Sequence, residues 1–84
     1  MSLPPRIAGI VREVAAEHHV RPRDVLGPRR FRKLVRARWD AMARIRALTR
    51  PDGKPPSYPQ IGEWLGGRDH TTVMHGLERL AEGA

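Results

Sequence analysis

The sequence predicts an all-α fold: a small helical domain that ends in a helix-turn-helix. Three observations carry this. Apolar residues recur at helical spacing in two segments, from Ile7 to Ala15 and from Phe31 to Leu48. A later string, "SYPQIGEWLGGRDHTTVMHGLERL", holds two shorter apolar-faced segments with a pair of glycines between them. The whole is 84 residues long, room for one modest core, so residues 1–84 are read as a single domain with its core in 6–81.

Each element follows from local chemistry. Ile7, Ile10, Val11, Val14 and Ala15 fall on one face of a helix, and Pro4 and Pro5 stand before it; the first helix is expected over 6–18. "RPRDVLGP" leaves space for a turn or two, with Val20, Val25 and Leu26 plugging the core and Gly27-Pro28 ending the element. Phe31, Leu34, Val35, Trp39, Met42, Ile45 and Leu48 then share a face, which predicts a long helix over 29–48 with Phe31 and Trp39 in the core. "TRPDGKPPS" reads as a loop. Ser57 can cap the next helix, with Pro59 in its first turn and Gln60 three residues on as in a capping box. Ile61, Trp64 and Leu65 give that helix its apolar side. Gly66-Gly67 can take the positive φ angles of a sharp turn, and Asp69 can cap a final helix whose Val73, Leu77 and Leu80 face inward.

Composition narrows the function. Sixteen Lys and Arg against nine Asp and Glu give a net charge of +7, and fourteen of the sixteen are Arg. Such a balance favours a polyanionic partner, and Arg suits forked contacts to phosphate and guanine. The charge is concentrated. Between Pro28 and Arg50 lie nine basic residues and one acidic one, Asp40, a net of +8 that exceeds the charge of the whole chain.

Other classes are disfavoured. With no cysteine, disulfides and thiolate metal sites are excluded. His18-His19 and the His70/His75 pair lack the spacing or companions of a metal shell, so no metal and no cofactor is expected, and His18 and His19 are placed at a helix end or the surface. No apolar run reaches membrane-span length and "MSLPPRIAGI" lacks a signal-peptide core, so a cytoplasmic, nucleoid-associated protein is expected, with no membrane partner. Asp69 and His70 have neither a nucleophile nor room for a pocket beside them; no enzyme is expected.

The polar cluster Arg68, Asp69, His70, Thr71 and Thr72 is therefore the candidate site. In a helix-turn-helix the first residues of the second helix meet base edges in the major groove, so short polar side chains belong there and apolar ones a turn later. His70 can donate to guanine N7 or O6, Thr71 can set its methyl against that of thymine, and Asp69 can accept from a cytosine amino group. Thr72 or His75 can reach phosphate.

The run "YPQIGEWLGGRDHTTVMHGLERL" resembles the C-terminal DNA-binding domain of the bacterial replication initiator DnaA, and "DVLGPRRFRKLVRARWDAMARI" resembles, more weakly, that family's basic loop and long helix. The likeness covers roughly residues 6–81. It implies a helical domain of Trp-repressor and DnaA C-terminal type that binds double-stranded DNA at a DnaA-box-like site. It further implies that Asp69, His70 and Thr71 read bases and that Thr72 and His75 touch the backbone. Arg30 would enter the adjacent minor groove, Arg32, Arg38 and Arg46 would lie on phosphates, and Tyr58 and Pro59 would line the groove ahead of the signature.

The sequence also departs from the family. Tyr58 replaces a usual aliphatic residue, "RPDGKPP" is a longer connection than is typical, and Gly76 stands where a better helix former is expected. The initiator's phosphate loop has no counterpart, since no G-x-x-x-x-G-K-[ST] occurs in the chain, which therefore reads as an excised domain or a separate small protein. A stand-alone or phage-type transcriptional regulator would use the same contacts. A protein-interaction module would retain the fold without reading bases.

Overall fold

The computed structural model describes residues 3–83. Among these, five helices follow one another: α1 (Pro5–Glu17), α2 (Pro22–Val25), α3 (Arg32–Arg46), α4 (Tyr58–Trp64) and α5 (His70–Ala81). No strand lies among the described residues. The radius of gyration, 11.8 Å, matches the roughly 12 Å of a compact chain of this length.

Helix α3 is the central strut. It packs against α1 and α2 on one side and against α4 and α5 on the other, while α4 and α5 pack closely on each other as the helix-turn-helix pair. The core is apolar and continuous, running from Ile7, Val11 and Val14 of α1 through Val25, Ala37, Ala41, Met42 and Ile45 to Ile61, Leu65 and Val73. Ala37 and Ala41 give α3 a narrow waist, where small side chains let neighbouring helices approach. No helix among the described residues is long and apolar enough to cross a membrane.

The element boundaries have local causes. Pro5 opens α1 at a position where a missing N–H costs nothing. His19, with φ 57°, turns the chain in the left-handed region just beyond that helix. Ser57 caps α4 by accepting from the Gln60 backbone N–H at 3.3 Å, as its spacing predicts. Between α4 and α5 the chain reverses through Gly66 (φ 89°) and Gly67 (φ 76°), the region where a side chain is costly.

Phe31 corrects one expectation. The long helix starts at Arg32, not 29, so Phe31 is an extended N-cap residue outside the helical register and is 62% exposed instead of buried. Trp39 and Trp64 are partly buried and pack against the core.

A charged network binds α1 to α3 away from the helix-turn-helix. Arg44 grips both carboxylate oxygens of Glu17, at 2.9 and 2.7 Å, and donates to Asp40 at 2.9 Å. The Nε2 of His18 lies 2.9 Å from the other oxygen of Asp40. His18 thus sits at the end of α1 and is used there as a structural partner.

Candidate nucleic-acid interface

The first turn of α5 is exposed and firmly capped. Asp69 accepts from the Thr71 backbone N–H at 3.1 Å and from the Thr71 hydroxyl, and these bonds hold its carboxyl below the usual range. The cap fixes the start of the helix while His70, Thr71, Thr72 and His75 all remain exposed. Nδ1 of His70 lies 3.5 Å from Asp69 Oδ1. Further along, Val73 and Gly76 are buried against the core, so one face of α5 anchors it and the polar face is presented outward.

Behind this turn a single carbonyl gathers two arginines. The Gly27 oxygen accepts from Arg38 Nη2 at 2.8 Å and from Arg68 Nη2. Arg38 also donates from Nε to Val25 O and from Nη2 to Asp24 O, each at 2.8 Å. These carbonyls belong to the short helix α2 and its exit, which has no later turn to satisfy them, so Arg38 acts as a cap reaching across from α3. Arg68 in turn donates from Nη1 to Leu65 O. The segment Pro28 to Phe31 is thereby tied at its root to both α3 and the glycine turn.

This corrects the expected role of Arg38. It is only 4% exposed, and its guanidinium is committed to three backbone carbonyls, so it is not a surface phosphate contact. A helical periodicity with Leu34, Ala37 and Ala41 places position 38 on the inward side, against the phosphate contact that the family resemblance implies. Arg68 is half-buried and similarly occupied.

Arg30, Arg38, Arg68 and Thr72 border an open cleft of about 550 Å³ floored by Val35 and Trp39. Burial, then the Arg68 and Arg30 guanidiniums, lower Arg38 to about 10, and burial with Arg30 lowers Arg68. No acidic residue among those described borders the cleft, and the exposed Arg30 at its edge favours an anion there. On the other side of Val35 and Trp39 a smaller groove of about 260 Å³ is bordered by Arg32, Arg36 and Arg79. Arg36 and Arg79 escaped the sequence reading. Arg36 lies one helical turn after Arg32, a spacing that could have shown it; Arg79 reaches the groove only because α5 crosses α3.

Arg46 lies elsewhere, at the other end of α3. It donates to Pro56 O at 2.6 Å and its guanidinium stands 4.4 Å from the Tyr58 ring centroid, so it braces the start of α4. Tyr58 is half-buried under it and Pro59 is exposed. Arg29, Arg30 and Arg32 are exposed in and beside the basic segment. The structure therefore brings Arg30, Arg68 and Thr72 together, sets Asp69 to His75 along one helix, and leaves Arg46, Tyr58 and Pro59 as a separate group.

Known proteins carry the same pattern. The bacterial DnaA protein helix-turn-helix family matches residues 7–80. The chromosomal replication initiator protein DnaA of Cereibacter sphaeroides is 43% identical over 76 residues, which cover 90% of this chain and 16% of that protein. That of Ruegeria pomeroyi is 44% identical over 73 residues, 87% of this chain and 14% of the relative, and that of Oenococcus oeni is 44% identical over 73 residues, 87% and 15%. The chain spans about one sixth of the length of these relatives. Because the matched span runs from the buried face of α1 to the end of α5 and includes the glycine turn and the capped polar helix, this chain belongs to the bacterial DnaA helix-turn-helix family.

Proposed function

We propose that this domain binds double-stranded DNA in a sequence-specific way, reading a DnaA-box-like site as in replication origin recognition. The relatives are initiator proteins by name, and the reading of their common domain comes to this chain from that kinship. The observation that carries it is the capped, outward-facing first turn of α5, in which His70, Thr71, Thr72 and His75 are exposed around Asp69.

In this reading α5 lies in the major groove. His70, Asp69 and Thr71 meet base edges, while Thr72 and His75 approach the backbone. Arg30 enters the flanking minor groove, where a cation separates A·T from G·C pairs. Arg32 takes a phosphate, together with Arg36 and Arg79, which share its groove. Tyr58 and Pro59, at the start of α4, lie along the duplex, with Arg46 holding Tyr58 in place. Arg38 and Arg68 set the position of the basic segment.

Selection from a random duplex library tests the proposal. A sequence-specific binder enriches one short motif and binds it at least about 1,000-fold more tightly than random duplex at moderate salt. Equal affinity for selected and unselected duplexes contradicts base reading.

A further inference from the structure

Phe31 is a large apolar side chain with no place in the core. It is 62% exposed, more than any other large hydrophobic residue among those described. It also stands inside the most basic stretch of the chain, between Arg29-Arg30 and Arg32-Lys33. An aromatic ring held in water among four cations contributes no burial to the core and is free to meet a partner.

Phe31 is extended (φ −61°, ψ 143°), and Arg29, two residues earlier, holds its guanidinium 5.9 Å from the ring centroid, so Arg29 and Phe31 share one side of the segment. Arg30, between them, borders the cleft beside Arg38, Arg68 and Thr72. Phe31 thus directly follows Arg30, the residue that the duplex-binding reading sets in the flanking minor groove. The root of the segment is pinned at Gly27 by Arg38 and Arg68, so the ring is presented from a braced base.

We infer that Phe31 is an apolar wedge that enters the flanking minor groove and partly unstacks a base step, with Arg29 stacked on its ring and neutralising the adjacent phosphates. This rests on the duplex-binding reading above. A polyanion draws in the surrounding cations, and the groove offers the ring what water does not, an apolar seam between base pairs. The consequence is a bend at an A·T-rich or pyrimidine–purine flank, where unstacking is least costly. The cations that surround the ring also favour nucleic acid over an uncharged protein groove.

The test uses the full chain and a duplex of its selected site with 2-aminopurine placed in the flank. Wild type should raise the 2-aminopurine fluorescence and shift the mobility of circularly permuted fragments. Phe31→Ala should abolish both effects and weaken binding to the selected site about 5- to 20-fold, with an unchanged melting temperature because the ring is not packed. Phe31→Leu should restore the bend. A wild type that selects a site, yet bends it equally with and without the ring, overturns the wedge alone. A wild type that selects no site overturns the duplex reading and the wedge with it. Loss of binding to phosphatidylglycerol vesicles in Phe31→Ala, with duplex binding and bending unchanged, would assign the ring to a lipid surface and overturn the proposal.

Discussion

A Cβ added to Gly76 would stand 2.5 Å from Cδ1 of Trp39 and 2.8 Å from Sδ of Met42, so α5 crosses α3 with its backbone against the indole. Glycine in the middle of a helix lowers helical stability by about 1 kcal/mol relative to alanine, yet here the missing methyl is what lets the recognition helix seat on the strut. The two residues form a matched pair: a large ring on α3 and an absent side chain on α5. The poor helix former at position 76 is thus explained by Trp39.

Gly76→Ala should therefore destabilise the domain by about 1–2 kcal/mol, overpacking outweighing the gain in helix propensity. Combining it with Trp39→Leu should recover most of that loss, and denaturant unfolding of the two single variants and the double variant measures the coupling. Additive losses would show that the ring is not what the methyl meets.

Arg38 gives the next expectation. Replacing it with Met removes the fork from three buried or half-buried carbonyls, and should cost about 2–4 kcal/mol of stability. Arg38→Lys should recover little, since an ammonium cannot reproduce the planar fork. Thermal unfolding of both variants checks this, and a stable Arg38→Met would remove the residue from its capping role.

Much of the fold was legible in the sequence, and the failures share a cause. Helical spacing located α1, α3 and α5, and the Ser57/Gln60 and Gly66-Gly67-Arg68-Asp69 patterns located the helix-turn-helix, because caps and glycine turns are local chemistry. Phe31 was placed in the core because its spacing fits α3, but helix α3 begins one residue later and leaves it in solvent. The family resemblance implies a phosphate contact for Arg38; only the approach of α2 shows its carbonyl partners. Arg79 joins Arg32 and Arg36 through the α3/α5 crossing, a relationship no local pattern contains. In the site, the exposed turn of α5 was legible, and the division of arginines between structure and surface was not.

Acid should loosen the α1–α3 junction. Burial alone would raise Asp40, but the His18 and Arg44 hydrogen bonds outweigh it and hold its carboxyl below the usual range; the Arg44 hydrogen bond lowers Glu17 as well. Carboxyls with lowered values in the folded state contribute stability that is present above their unfolded values and is lost as pH falls through the lowered ones. The melting temperature should thus drop below about pH 4. In Arg44→Gln the neutral-pH melting temperature should be lower and its acid decline shallower; an unchanged decline would exclude the network as its source.

Salt separates the surface arginines from the structural ones. Duplex affinity should fall with a slope of about −4 to −6 in log K against log salt. Arg32→Ala, Arg36→Ala and Arg79→Ala should each make the slope shallower by about 1, with little change in stability. A slope near zero for wild type would sink the electrostatic account, and an unchanged slope in Arg36→Ala and Arg79→Ala would remove their groove from the interface.

His70 carries the most direct test of base reading, because it is exposed on the first turn of α5 and is not among that helix's buried residues. The measurement is the ratio of affinities for the selected duplex and a scrambled duplex of the same composition, for wild type and His70→Ala at one salt concentration. The ratio should fall by about 5- to 100-fold in His70→Ala while affinity for the scrambled duplex stays within about twofold, since base contacts carry sequence information and phosphate contacts do not. Equal weakening on both duplexes, or an unchanged ratio, would contradict the claim that this turn reads DNA sequence.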